Sequence, residues 1–233
     1  MDKKITRKSF LKKASILTLG FAGFSNYLLS NSMNTLNRIS SKLIKDPKGI
    51  INLPDGFQYK IISEFKNKMS DGLQVPDHAD GMTAFQGDNG KIILIRNHEI
   101  GSFKKIQDLL KLNPLANEKT FIQNNKDKFY DLGKNGNPCC GGTTTLVYNP
   151  TTNKLDAEYL SLTGTLINCS GGKTPWNTWI SCEETVENAG GNLQKDHGYN
   201  FEVAPSETVN LNKAVPLKDM GRFRHEAVAI DPT

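Results

Sequence analysis

Residues 141–162, GGTTTLVYNPTTNKLDAEYLSL, decide the fold class. Thr143–Tyr148 is rich in β-branched and apolar residues, and Lys154–Leu162 alternates apolar with polar side chains over its first half. Between them lies Asn149-Pro150-Thr151-Thr152-Asn153, whose Asn and Pro residues favour a reversal. The stretch therefore reads as a β-hairpin. Outward from it the same grammar recurs. The apolar run Lys91–Arg96 (KIILIR) follows the turn Asp88-Asn89-Gly90, and Phe57–Ser63 follows Pro54-Asp55-Gly56. Thr178–Cys182, Tyr199–Val203 and Ala227–Ile230 read as further strands. Only residues 101–132 differ, where Lys104–Leu112 and Asn117–Tyr130 predict short helices inserted over one face. Short strands at roughly ten-residue spacing predict an all-β sandwich, barrel or propeller. A propeller blade takes about 40–45 residues, so the body would hold about four blades.

The charge is uneven. The chain carries 29 Lys or Arg and 24 Asp or Glu, but residues 1–48 hold ten of the bases and only two of the acids. The remainder has nineteen bases and twenty-two acids, a net of −3. A nucleic-acid binder concentrates base on the domain itself, so that class is excluded. An acidic body suits a protein that gathers cations on carboxylates.

The basic excess has another source. Lys3, Lys4, Arg7, Lys8, Lys12 and Lys13 form a positive segment ahead of the uncharged run Ala14–Phe24. That run is too short to span a bilayer and suits the apolar part of an export signal. Thr6-Arg7-Lys8-Ser9-Phe10-Leu11-Lys12 resembles a twin-arginine signal, with Lys8 where the second Arg belongs. The expectation is an export signal and linker over residues 1–45 and a folded domain over 46–233. The twin-arginine machinery is the expected partner, and a periplasmic or extracellular location follows, membrane-tethered if the leader is uncleaved. A monomer is expected.

Cys139, Cys140, Cys169 and Cys182 are the cysteines. Export permits disulfides, and Cys169 with Cys182 is one possible pair. Cys169 also lies in a Gly-rich string beside acids, which suits a metal thiolate. Three clusters concentrate chemistry: Arg96-Asn97-His98-Glu99; Asn168-Cys169-Ser170-Gly171-Gly172 running on to Cys182-Glu183-Glu184; and Gly221-Arg222-Phe223-Arg224-His225-Glu226. Glu99, Glu183, Glu184 and Glu226 are hard oxygen donors that repel one another unless cations neutralise them. Cys169 is a soft donor for iron or another transition ion. Against this, Glu183 and Glu184 would point to opposite faces of a strand. His98, His197 and His225 also serve as packing residues, Cys182 sits in an apolar context, and Trp176 and Trp179 suit packing. Nothing forms a Ser-His-Asp constellation. Spacing alone supports an exported metalloprotein.

Taken together the strings RNHE (96–99), GGTTTLVYNP (141–150), NCSGGKTPWNTWISCEET (168–185), HGYNFEV (197–203) and GRFRHEAVAIDP (221–232) resemble the PhoX family of alkaline phosphatases. The resemblance covers about residues 50–233. It implies a β-propeller and a centre of two ferric ions and calcium that hydrolyses phosphate monoesters and some diesters. By resemblance Cys169 is the iron-bridging thiolate and Glu226 an iron ligand, the two catalytic positions. Glu183 and Glu184 are the acidic pair associated with calcium, and Glu99 a further metal position. The family's later Arg-x-Glu segment has no match here, so the expectation is a chain truncated at its C-terminus and weakly active or inactive alone. The alternatives are a non-catalytic calcium-binding propeller and a calcium-dependent lactonase or arylesterase-like hydrolase.

Overall fold

The computed structural model describes residues 43–101, 115, 117–134 and 136–232. The expected leader and the helix expected over Lys104–Leu112 lie outside the described residues. By its contacts the chain divides into two compact units, residues 1–60 and 61–233. In the first unit Asp46 organises a loop. Its carboxylate accepts the Tyr59 hydroxyl at 2.6 Å and the N–H groups of Lys48, Ile50 and Ile51.

The second unit is built on two antiparallel sheets. Strands β1 (Ala79–Gln86), β2 (Ile92–His98), β3 (Gly141–Asn149) and β4 (Lys154–Thr165) form a four-stranded meander in chain order. Strands β5 (Asn168–Lys173), β6 (Trp179–Glu183) and β7 (Asn200–Val203) form a three-stranded one. A single α-helix, α1 (Lys119–Asn125), appears among the described residues, inside the expected span Asn117–Tyr130. The unit is thus mainly β.

The hairpin that decided the class forms as expected. Asn149 pairs with Lys154, and the ladder runs to Gly141 opposite Thr165. The Asn149 side chain accepts the N–H groups of Thr151 and Thr152, and Asn153 takes the left-handed conformation with φ 55°. Apolar side chains of both sheets, Phe85, Ile93, Ile95, Leu162, Trp179, Phe201 and Val203, meet in one core. Fully burying an aliphatic or Phe side chain contributes about 1.5–3 kcal/mol, so this shared core carries much of the stability. A second cluster packs Phe121 and Ile122 of α1 against Met69, Leu73, Val75 and Leu160.

Asn97, fully buried near the end of β2, pins the sheets together. Its Nδ2 donates to the Ser170 carbonyl at 2.7 Å. Its Oδ1 accepts from Trp179 Nε1 at 2.9 Å and Ser181 Oγ at 3.0 Å.

Two expected strands do not form. Residues 57–63 pair with nothing as a strand. Ala227–Ile230 lies across β5 with one backbone bond, from Val228 N–H to the Gly171 carbonyl at 3.2 Å. It is also largely exposed rather than buried. Conversely β1 and β5 were not expected. β1 carries a bulge between Ala79 and Met82 that breaks its alternation.

Asn97→Ala strands the Ser170 carbonyl, the Trp179 indole N–H and the Ser181 hydroxyl in the core. The expected loss is about 3 kcal/mol, from two to three orphaned buried groups. Thermal unfolding should register it as a Tm lower by roughly 6–12 °C for a unit of this size.

Candidate metal centre

Cys169 sits on β5, 3 % exposed, where the Gly-rich string lets three pieces of backbone close over it. A Cβ added to Gly81 on β1 would meet the Ser170 Cα at 2.6 Å and the Cys169 carbonyl at 2.8 Å, so only glycine lets β1 pass there. Gly171 faces the Ile180 carbonyl and Gly172 the Val228 carbonyl in the same way. These glycines are strand residues with neighbouring backbone pressed against them.

The segment after Gly221 delivers Glu226. Its backbone is clamped by the N–H groups of Phe223 to Gly198, His225 to Glu183 and Val228 to Gly171, at 3.0–3.2 Å. Arg222 holds the neighbouring loop through the carbonyls of Val186, Glu187 and His197. As a result the Cys169 sulfur lies 3.4 Å from the His225 carbonyl oxygen and 3.6 Å from that of Glu226.

Cys169, Glu184 and Glu226 bring one ligand atom each to within 4.8 Å of the others. Glu184 is half-buried and Glu226 exposed, so the group opens to solvent on one side. Glu99 stands beside it. Burial raises its carboxyl above the ordinary range, a hydrogen bond with Asp80 raises it further, and the charges of Asp80 and Glu184 add to this. Ile167 ties these pieces together. Its N–H donates to the Ile100 carbonyl at 3.0 Å, and its carbonyl accepts from Glu184 N–H at 2.9 Å. It does so at φ 49°, a strained conformation for a β-branched residue. Arg224 Nη2 meets Glu184 Oε1 at 2.7 Å at the exposed rim.

One thiol and four carboxylates, from Asp80, Glu99, Glu184 and Glu226, thus gather at one mouth. Like charges this close repel, and a bound cation would offset that repulsion. A soft sulfur with hard oxygens suits a transition ion flanked by calcium, so the donor set fits the metals that the sequence suggested. Asp80 escaped the sequence reading because it lies in a turn-like string, Asp77-His78-Ala79-Asp80-Gly81. Only the β1–β2 register, with Ala79 opposite His98, carries it to Glu99.

Glu183 is not brought to this group. Its Oε1 accepts from Leu166 N–H at 2.9 Å and faces His197 Nδ1 at 2.7 Å. Its Oε2 accepts the N–H groups of Gly198 and Tyr199 at 2.8 and 3.1 Å. The strand pleat sends it inward while Glu184 faces the mouth. All three suspect histidines are buried. His98 lies between the Asp77 carbonyl and Thr144 Oγ1, and burial lowers its pKa to about 3. His225 packs on Phe223 and Asn200. Cys182 is a core residue as expected, and all four cysteines are free thiols, without the possible Cys169–Cys182 bridge. Trp179 packs in the core, whereas Trp176 is 59 % exposed and bonds Glu202.

The model of the alkaline phosphatase PhoX family matches residues 40–233, most of the chain. The chain belongs to the PhoX alkaline phosphatase family. No curated protein and no solved structure matches it. Three of the five strings that resembled PhoX proteins supply donors to this mouth: RNHE ends at Glu99, the Cys169–Glu184 block spans both sulfur and carboxylate, and GRFRHE ends at Glu226.

In the metal-free PhoX chain the Cys169 thiol is pushed up to about 11, chiefly by burial, with the Glu226 and Glu184 charges adding. The thiol therefore keeps its proton at neutral pH, and a cation binding there must displace it. Metal affinity at this group should rise up to about tenfold per pH unit between pH 7 and 9. Calorimetry in buffers of different protonation enthalpy should show proton release. Cys169→Ser should flatten the slope.

Proposed function

We propose that this PhoX-family chain is an exported, metal-dependent phosphatase that hydrolyses phosphate monoesters, and some diesters, at an iron–calcium centre. The observation that carries the reading is the convergence of Cys169, Glu184 and Glu226 within one solvent-open group, in a chain of a phosphatase family. Cys169 and Glu226 would hold iron. Glu184, Glu99 and Asp80 would hold calcium at the rim. When bound, these cations supply Lewis-acid stabilisation of phosphoryl charge and lower the pKa of a water.

The chain's own residues have supporting parts in this reading. The Arg224 guanidinium at the rim presents the planar fork that matches a phosphate, and its ion pair with Glu184 keeps it at the mouth. Gly81, Gly171 and Gly172 hold the sulfur in a fixed backbone cradle, which limits reorganisation when charge develops on the substrate. The two antiparallel sheets suit consecutive blades of a propeller, whose blades are four-stranded meanders. Residues 1–45 are proposed as a twin-arginine-type leader for a periplasmic or extracellular, monomeric protein. Small phosphate esters are the proposed substrates.

The test is metal content, with p-nitrophenyl phosphate hydrolysis as a second readout. Wild-type protein refolded or expressed with ferric iron and calcium should retain both. Cys169→Ser and Glu226→Gln should each lose iron, and whatever phosphate-ester turnover the chain has should fall to the level of chelator-treated protein, because the metals supply the transition-state stabilisation. Calcium retention without iron, or iron unaffected by Cys169→Ser, overturns the proposal. Turnover of lactones in preference to phosphate esters does so as well.

A further inference from the structure

Glu183 turns away from the solvent-open mouth and toward a second group, closed on all sides. On one edge of the His197 ring, Glu183 Oε1 is 2.7 Å from Nδ1. On the opposite edge, Nε2 is 3.3 Å from Asp131 Oδ2 and 3.9 Å from Cys139 Sγ. His197 and Asp131 are fully buried and Cys139 is 7 % exposed. The three donor atoms lie within 4.8 Å of one another.

These spacings approach the edges of a tetrahedral metal site. Bonds of about 2.0–2.1 Å to nitrogen, 2.0–2.2 Å to oxygen and 2.3 Å to sulfur place neighbouring nitrogen and oxygen ligands about 3.3 Å apart, and nitrogen and sulfur about 3.6 Å apart. The nitrogen–oxygen edge already has that length, and the nitrogen–sulfur edge is a few tenths of an ångström longer. A metal-bound histidine also needs its other ring N–H held by an acceptor, commonly a carboxylate, to fix its tautomer and orientation. Glu183 stands in that place. The scaffold is built around the carboxylate as well. Asp131 Oδ1 accepts Gly133 N–H at 2.7 Å, and Oδ2 accepts Gln194 and Lys195 N–H at 2.9 Å each. The Cys139 N–H donates to the Asp131 carbonyl at 3.2 Å, which keeps sulfur and carboxylate together.

We propose that Asp131, Cys139 and His197 bind a divalent transition ion of the zinc class, with Glu183 as the outer carboxylate that orients His197. A mixed thiolate, imidazole and carboxylate set favours zinc over calcium or magnesium, which take oxygen donors. The site is buried behind β6 and is structural: it fixes the end of β6 from the inner face, while Glu184 is presented on the outer one. It stands whether or not the mouth hydrolyses phosphate esters. The competing arrangement is a protonated His197 held between two carboxylates with no ion.

The experiment uses the Cys169→Ser protein, which lacks the thiol of the mouth. After chelation and reloading with zinc alone, it should hold one equivalent by native mass spectrometry. X-ray absorption at the zinc edge should show one sulfur at about 2.3 Å with the remaining ligands nitrogen or oxygen. Alkylation mapped by mass spectrometry should spare Cys139 until chelator is added. Cobalt in place of zinc should give a thiolate charge-transfer band, lost when Cys139→Ser is added and the protein remains folded by circular dichroism. If that double variant does not fold, the absorption and alkylation measurements on Cys169→Ser decide alone. No zinc uptake, a zinc shell without sulfur, alkylation of Cys139 indifferent to zinc, or a cobalt band that survives Cys139→Ser overturns the proposal.

Discussion

Asn97 uses both ends of its amide between the two sheets, and the placing of Glu99 against Cys169 rests on that bridge. Its Nδ2 grips the Ser170 carbonyl, one residue from Cys169, while its Oδ1 takes the side-chain donors of Trp179 and Ser181 on β6. Two residues along from Asn97 is Glu99. The same side chain therefore sets the distance between the sheet that carries Glu99 and the sheet that carries Cys169. An apolar residue there could fill space but could not define register, because packing is non-directional and hydrogen bonds are not. Arg96 and His98, the neighbours of Asn97, do parallel work within the first sheet. Arg96 pairs with Glu158 at 3.2 Å, and both residues meet Thr144 Oγ1. The RNHE string is thus three structural residues that aim one acid.

β6 ends on two consecutive glutamates with opposite assignments. Successive strand side chains point to opposite faces, so a Glu-Glu pair necessarily divides its carboxylates between core and surface. A buried carboxylate is tolerated only when its lone pairs are satisfied, and Glu183 meets that condition with three backbone N–H groups and a histidine. Glu184 is free of that duty and faces the mouth. The strain at Ile167 belongs to the same junction. A left-handed β-branched residue costs on the order of 1–3 kcal/mol, and it persists here because its two backbone bonds join the Glu99 and Glu184 loops.

How much of this the sequence disclosed follows from the range of the interactions. Hairpin β3–β4 was legible because its turn chemistry is local and its strands are β-branched or alternating. β2 was legible as an apolar run after a turn signal, and β6 and β7 as short β-prone runs. β5 was not, since Asn168–Lys173 holds two glycines, and their meaning as sites of close backbone approach comes from Ile180 and Val228. Ala227–Ile230 misled for the opposite reason. Its composition is that of a buried strand, but strands are defined by pairing, and this segment finds a single partner bond.

The candidate site divides along the same line. Cys169, Glu184, Glu226 and Glu99 could be named from sequence because their types and strings carry chemistry by themselves. Glu183 carried the same chemical signal and went elsewhere, since the pleat assigns faces and only a known strand end says which face is inward. Asp80 and Asp131 carried no signal of their own. Asp80 depends on a cross-strand register, and Asp131 meets His197 across 66 residues of chain. Residue type announces what a side chain can do; long-range packing decides to which of two neighbouring groups it is delivered. Here a one-residue step from Glu183 to Glu184 separates a closed, fully bonded interior from an open gathering of acids. That separation lets one strand end supply both groups.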